Sequence, residues 1–307
     1  MKKESANIKY LTVNEIDTKW GMTVTTVGFQ QIDPKTVYPP SIHPSEYYFN
    51  PDKGRILHEY QLVYVTEGEG KFRSDSVKPT KIKAGNIFML FPGEWHSYQP
   101  DRNLGWSEYW IGFTGSYIEQ LVRMNFFQKN DPIFNIGHQD WIVELFVKIM
   151  EQAKTEKIGF QQLISGATTY ILGQLYSIRR NNEFGNKEIE NLINHARVVM
   201  RENLHTELSP ETLAASLNIG YSWFRRMFKQ YTGLAPAQYQ LQLKIQKAKE
   251  LLMDPKLSIK EIAFRLNFYS HYHFSNLFRK KTGFSPSEFR KMSIGETFPG
   301  SFLLDSR

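Results

Sequence analysis

Cysteine is absent from the 307 residues, which excludes a disulfide framework, a thiolate zinc site and a cysteine nucleophile. No apolar run approaches the ~20 residues that a membrane-spanning helix requires, so no membrane partner is expected. The amino-terminal stretch MKKESANIKYL starts basic but has no apolar segment behind it. That is unlike a secretory signal, and a cytoplasmic location is the expectation. Composition is not extreme either. Hydrophobic residues make up 41% and charged residues 22%, the balance of a globular chain rather than a disordered one. The length suits two domains, each able to bury its own core.

What is present is unevenly distributed. The net charge of +7 lies in the back of the chain: residues 187–307 hold 18 Lys+Arg against 11 Asp+Glu, whereas the first 186 hold 20 of each sign. Within residues 222–291 the count is 14 against 4. A neutral front joined to a basic back points to a polyanion as partner.

The first ~115 residues read as strands. Trp20–Phe29, Tyr60–Thr66 and Asn86–Phe91 are rich in β-branched and aromatic residues, punctuated by NPDKG and FPG. Short strands at this spacing suggest a β-sandwich or barrel. EGEG (67–70) is too short for a phosphate loop and reads as a hairpin turn. After Gly115 the period changes to that of amphipathic helices. One carries Trp141, Leu145 and Ile149, and a second carries Leu163, Ala167, Tyr170, Ile171, Leu175 and Ile178. These stripes are expected to serve packing or a dimer seam. RRNNEFGNK (179–187) looks like an exposed linker, and everything beyond it reads helical.

The back part contains an internal repeat. SPETLAASLNIGYSWFRRMFKQYTG (209–233) aligns with SIKEIAFRLNFYSHYHFSNLFRKKTG (258–283). Ser209/Ser258, Leu213/Ile262, Ala214/Ala263, Leu217/Leu266 and Asn218/Asn267 are 49 apart. Phe224/Phe274, Phe228/Phe278, Thr232/Thr282, Gly233/Gly283 and Pro236/Pro286 are 50 apart, so the second copy has one extra turn residue. Each copy reads as a short helix, a turn and a second helix, with Ser209 and Ser258 as N-caps. Phe224, Met227 and Phe228 would face inward, leaving Tyr221, Ser222, Arg225, Arg226 and Lys229 outward. In the second copy Phe274, Leu277 and Phe278 would face in, and His271, Tyr272, Ser275, Asn276 and Arg279 out. An apolar inner stripe under a basic, hydrogen-bonding outer face is the pattern of a DNA-reading helix-turn-helix. The stretch 236–253 between the copies would span ~27 Å as a helix. That suits two recognition helices entering major grooves ~34 Å apart.

With these residues the sequence resembles the AraC family of bacterial transcription regulators. SHYHFSNLFRKKTGFSPSEFRK (270–291) looks like that family's signature, within a resemblance running from about 191 to 291. HEYQLVYVTEGEGKF, IKAGNIFMLFPGEWHSYQP and GWSEYWIGFTG are similar to its sugar-sensing domain. The resemblance implies an α+β chain: an N-terminal β-barrel of the cupin or jelly-roll type, a helical pair, then an all-α domain with two helix-turn-helix units. The boundaries it suggests are 1–180 for effector binding and dimerisation (helical pair 139–180), 181–190 for the linker, 191–293 for DNA binding and 294–307 for a tail. By matching, Ser222, Arg225 and Arg226 of the first unit and His271, Tyr272 and Asn276 of the second would reach base edges. Arg pairs bidentately with guanine and Asn with adenine. Lys229, Arg279, Lys280 and Lys281 would contact phosphates, and Arg265, Lys244 and Lys247 are either phosphate contacts or solvated charges. The implied partners are double-stranded DNA with half-sites one helical turn apart, a second copy of the chain, and RNA polymerase.

In the front part Trp95, His96, Tyr98, Trp106, Tyr109 and Trp110 fall within 16 residues. Strand alternation would turn some of these rings toward a small polar ligand such as a mono- or oligosaccharide, with Trp106 the first candidate for plain core packing. By resemblance the effector contacts fall near Glu67, His96, Tyr98, Glu108 and Trp110. The family's arabinose-type pocket has arginine where this chain has Glu67, and Arg55 would compensate. A metal-dependent cupin enzyme with a DNA-binding tail is one alternative. It is disfavoured because Gly85, FPG (91–93) and His96 keep the second metal motif while His58, followed by Glu59 and Tyr60, breaks the first. No metal, cofactor or catalytic residue is therefore expected. The other alternative is a DNA-binding protein whose front part only dimerises.

Overall fold

Alternation of β-branched and aromatic residues sets the front of the chain into strands. The computed structural model describes residues 6–39, 50–185 and 187–293, so the tail expected at 294–307 lies outside the described residues. The chain divides into two compact units, 1–183 and 184–307.

The first unit runs β1 (Ala6–Tyr10), α1 (Glu15–Thr18), β2 (Thr23–Ile32), β3 (Arg55–Ile56), β4 (Tyr60–Ser74), β5 (Thr80–Lys83), β6 (Asn86–Leu90), β7 (Trp95–Pro100), β8 (Trp106–Thr114), α2 (Ser116–Arg123), β9 (Ile133–Asn135), α3 (Asp140–Thr155) and α4 (Phe160–Phe184). All strand pairings among the described residues are antiparallel. The main path is β1-β2-β8-β4-β6-β9, while β5 and β7 pair with the far half of β4. The long β4 thus belongs to two sheets. Between them lies one cluster of Val63, Val65, Phe72, Phe88, Tyr98, Trp106 and Trp110. The opposite faces of β2, β4 and β8 supply Val24, Leu62, Tyr64, Ile111 and Phe113, which pack with residues of α3 and α4.

Four expectations change. EGEG is not a turn: Glu67–Gly70 lie inside β4, at the point where the strand passes from one sheet to the other. Gly68 has a φ of 77°, and a Cβ there would meet the Gly105 carbonyl oxygen at 2.1 Å, so only glycine fits. The stripe of α3 is rotated by one residue. Ile142, Phe146, Ile149 and Ala153 are buried, with Trp141 and Leu145 at the edge of the core. Both series are apolar, and spacing alone does not choose between them. On α4, Ile164, Ile171, Leu172 and Leu175 are buried, whereas Leu163 and Tyr170 are exposed. Finally, the stretch expected as linker is largely helical: α4 extends to Phe184 and the next helix starts at Lys187.

The second unit is wholly helical among its described residues: α5 (Lys187–Glu202), α6 (Pro210–Ser216), α7 (Tyr221–Thr232), α8 (Pro236–Leu252), α9 (Ile259–Arg265), α10 (His271–Thr282) and α11 (Pro286–Ser293). It holds two cores rather than one. Ile193, Ala196, Met200, Leu213, Ala214, Phe224 and Phe228 form the first. Ile245, Ala248, Leu252, Ile262, Ala263, Phe274 and Phe278 form the second.

Candidate functional site

The repeat folds as two helix-turn-helix units, α6–α7 and α9–α10. Ser209 caps α6 by accepting from the Thr212 amide at 3.0 Å. Ser258 caps α9 by accepting from the Glu261 amide at 3.1 Å, and Glu261 accepts from the Ser258 amide at 2.7 Å. This reciprocal box satisfies two amides that the first helical turn would leave open. Each turn pivots on an asparagine in the left-handed region, Asn218 at φ 55° and Asn267 at φ 48°, which asparagine tolerates better than most side chains. The extra residue of the second turn is Tyr269, and its side chain is 96% exposed.

Phe224 and Phe228 anchor α7, and Phe274 and Phe278 anchor α10, all fully buried. Their spacing fixes which sides of the helices face outward. Ser222, Arg225, Arg226 and Lys229 on α7 are exposed, as are His271, Tyr272, Asn276, Arg279, Lys280 and Lys281 on α10. Three other cations have local duties. Lys244 is half-buried and donates to the Asn267 carbonyl at 3.0 Å, and burial lowers its pKa. It is therefore a structural residue. Lys247 pairs with Glu250 at 2.7 Å on the surface. Arg290 donates to the Leu252 and Leu257 carbonyls at 3.0 and 2.6 Å, holding the end of α8. Arg265 remains exposed.

In the first unit the two sheets bring together five of the six expected effector residues. Arg55 donates through Nε to His96 Nε2 at 3.3 Å and through Nη2 to the Tyr98 hydroxyl at 3.0 Å. Glu108 lies directly opposite Gln30 in register and accepts a hydrogen bond from its amide. Trp106, Glu108 and Trp110 lie at alternate positions of β8 and are all buried. Gly28 makes room for Trp110, since a Cβ there would sit 2.3 Å from the indole ring. Glu67 is the exception. It is exposed and accepts from Ser107 Oγ at 3.1 Å, on the face of β8 opposite Glu108. The irregularity between Val65 and Glu67 shifts the register by one residue, and a one-residue shift moves a side chain to the other face of a sheet.

Burial governs the charges of this cluster. It raises the Glu108 carboxyl to about 7, with the Gln30 hydrogen bond and Arg55 pulling the other way. The same burial, reinforced by Arg55, lowers His96 to about 4. Tyr98 is raised to about 12 by burial. His96 is thus neutral, its Nε2 engaged by Arg55 and its Nδ1 3.1 Å from the Glu94 carbonyl, which leaves neither nitrogen open for a metal. His58 is exposed, and Glu59 turns instead to Thr25, Thr26 and Gln61.

Sequence reasoning missed Gln30 and Tyr38. Gln30 was legible, being two residues from Gly28 on the same face of β2. Tyr38 was not: it follows the strand in an irregular segment, yet its ring lies 6.4 Å from those of both Tyr98 and Trp106. Trp106 packs in the core as expected, but its Nε1, like Glu108 Oε2, is buried with no hydrogen-bond partner among the described residues.

Comparison with known proteins agrees with both halves. Residues 35–166 match the family described as "AraC-like ligand binding domain", and residues 213–292 match "Helix-turn-helix domain". The chain is 32% identical over 244 residues to the HTH-type transcriptional activator RhaS of Enterobacter sp. (strain 638), covering 76% of this chain and 85% of that protein. It is 27% identical to the Msm operon regulatory protein of Streptococcus mutans, over 77% of this chain and 85% of that protein. It is also 27% identical to the raffinose operon transcriptional regulatory protein RafR of Pediococcus pentosaceus, over 78% and 87%.

Proposed function

This chain belongs to the AraC family of transcription regulators, and from that premise we propose that a sugar bound between the sheets of the first unit controls how α7 and α10 engage DNA. The protein is a DNA-binding regulator rather than an enzyme, with a ligand-binding domain ahead of its reader. The genes it serves are those of carbohydrate use, in keeping with the raffinose operon named for one relative. Ser222, Arg225, Arg226, His271, Tyr272 and Asn276 read base edges, and Lys229, Arg279, Lys280 and Lys281 hold phosphates. The chain acts in the cytoplasm as a homodimer joined through α3 and α4, whose exposed Leu163 and Tyr170 would be covered by a second copy. At the promoter it works with RNA polymerase. Control follows if the sugar binds one arrangement of the dimer more tightly than another.

The observation that carries the sugar reading is the pair of unanswered atoms on β8. Trp106 Nε1 can only donate, and Glu108 Oε2 accepts whenever the carboxyl is ionised; they sit two residues apart and both are buried without a partner among the described residues. A hydroxyl group does both. Arg55 and Tyr98, joined to each other at 3.0 Å, bring polar groups to the same cluster beside rings whose faces suit a pyranose. A thermal-shift screen of the full chain against pentoses, hexoses, deoxysugars and short oligosaccharides tests it. A true effector at 100 times its Kd adds about 2.7 kcal/mol, and the shift should vanish in Glu108→Gln. A flat panel with DNA binding intact would reduce the front unit to a dimerisation module.

A further inference from the structure

A cavity of about 740 Å³ opens in the first unit between the segment after β2, the β4–β5 hairpin and the end of β7. None of the expected effector residues lines it. Its one aromatic among the described residues is Tyr38, whose ring also meets Tyr98 and Trp106. Gly70 also lines it, and a Cβ there would come 2.8 Å from the Trp106 ring. The cavity therefore adjoins the buried cluster through the Tyr38 ring on one side and the bare backbone of Gly70 on the other.

The register lays a polar ledge along this cavity. Lys81 lies opposite Lys71, and Lys71 opposite Gln99, across β5, β4 and β7, and all three line it. Four cations and three carboxylates line it altogether, with Lys81 and Glu69 paired to each other. Mixed charge near balance does not select a polyanion. Long, exposed donors and acceptors beside one aromatic face suit an uncharged polyhydroxy chain, and the volume falls in the range of pockets for ligands of drug size, ~300–1,000 Å³.

We infer that this cavity is a second subsite and that the effector is a neutral oligosaccharide, with one end unit at Glu108 and Trp106 and the following units along Lys71, Gln99 and Tyr38. The inference rests on the sugar reading above and sharpens it from sugars in general to chains of two or more units. One end unit alone would bind through the buried cluster, and the ledge would add affinity with each unit that reaches it.

The test is calorimetric titration of the full-length protein with two length series: xylose to xylotetraose, and galactose, melibiose, raffinose and stachyose. Two added hydrogen bonds of ordinary net strength give a gain on the order of tenfold from the first to the third member of one series. In the double variant Lys71→Ala/Gln99→Ala that gain should disappear while the affinity for the monosaccharide stays the same. Lys71 is exposed and Gln99 partly so, and neither belongs to a hydrophobic cluster of the first unit, so the variant folds. Equal affinity at every length overturns the second subsite and leaves the sugar reading standing. A length gain that survives in the double variant places the extension elsewhere and overturns this assignment. No binding by any member overturns both.

Discussion

The ammonium of Lys244 on α8 donates to the main-chain carbonyl of Asn267, 3.0 Å away, at the turn between α9 and α10. Asn267 is the residue whose left-handed backbone lets the chain reverse there. A lysine inside the most basic stretch of the sequence is thus spent on holding a turn in place. Lys244→Met should cost about 1–2 kcal/mol in urea unfolding and leave the salt slope of DNA binding unchanged. Lys229→Ala should do the reverse, removing about one unit of that slope with little loss of stability. Equal effects from both variants would return Lys244 to the phosphate contacts.

Arg226→Ala and Asn276→Ala should each cost roughly 1–3 kcal/mol and relax preference at one base position. A binding-site selection with each variant reads the position directly. Because the two residues belong to different helix-turn-helix units, the relaxed positions should fall in different half-sites. Loss spread evenly over all positions would mean a different register for the recognition helices.

Stability should depend on pH through Glu108. Its folded pKa of about 7 stands above the ordinary carboxyl value of ~4.3. Between those values the folded state keeps a proton that the unfolded state has released, so stability falls as pH rises through that window. Glu108→Gln should therefore be more stable than the parent at pH 8, by an amount on the order of 3–4 kcal/mol, with the advantage gone below about pH 4.5. His96 works in the opposite sense, losing stability as pH falls from 6.5 toward about 4, but both proteins share it. Parallel melting curves from pH 5 to 8 would contradict the burial of Glu108.

The two cores of the second unit should fail separately. Phe274→Ala removes a fully buried ring and should cost about 3–5 kcal/mol. Hydrogen exchange should then rise across α9 and α10 while α6 and α7 stay protected, and a DNA footprint should shrink toward one half-site. Uniform loss of protection would mean that the clusters around Phe224 and Phe274 melt as one.

The helix-turn-helix units were legible because their information is local. Phe224 and Phe228, four residues apart, repeat as Phe274 and Phe278, and the same asparagine marks both turns. The caps at Ser209 and Ser258 were legible for the same reason. Where two apolar series run side by side, as Trp141–Leu145 beside Ile142–Phe146, the period names a helix without naming its buried face. Glu67 was misplaced because one irregular residue in β4 reverses every later side chain, and nothing in EGEG distinguishes a kinked strand from a turn. Tyr38 and the duty of Lys244 depend on contacts with residues far away in sequence: 60 and 68 positions on for Tyr38, at Tyr98 and Trp106, and 23 for Lys244.

Helix α8 joins the two readers as 17 residues without a break, about 25 Å of stiff rod. If each recognition helix reads its own half-site, as proposed, the first to bind holds the other near its target at an effective concentration that a flexible tether would dilute with every added residue. A lone half-site should therefore be released quickly and a correctly spaced pair retained. Operator spacing, set by the length of one helix, then becomes as much a part of the address as the bases themselves.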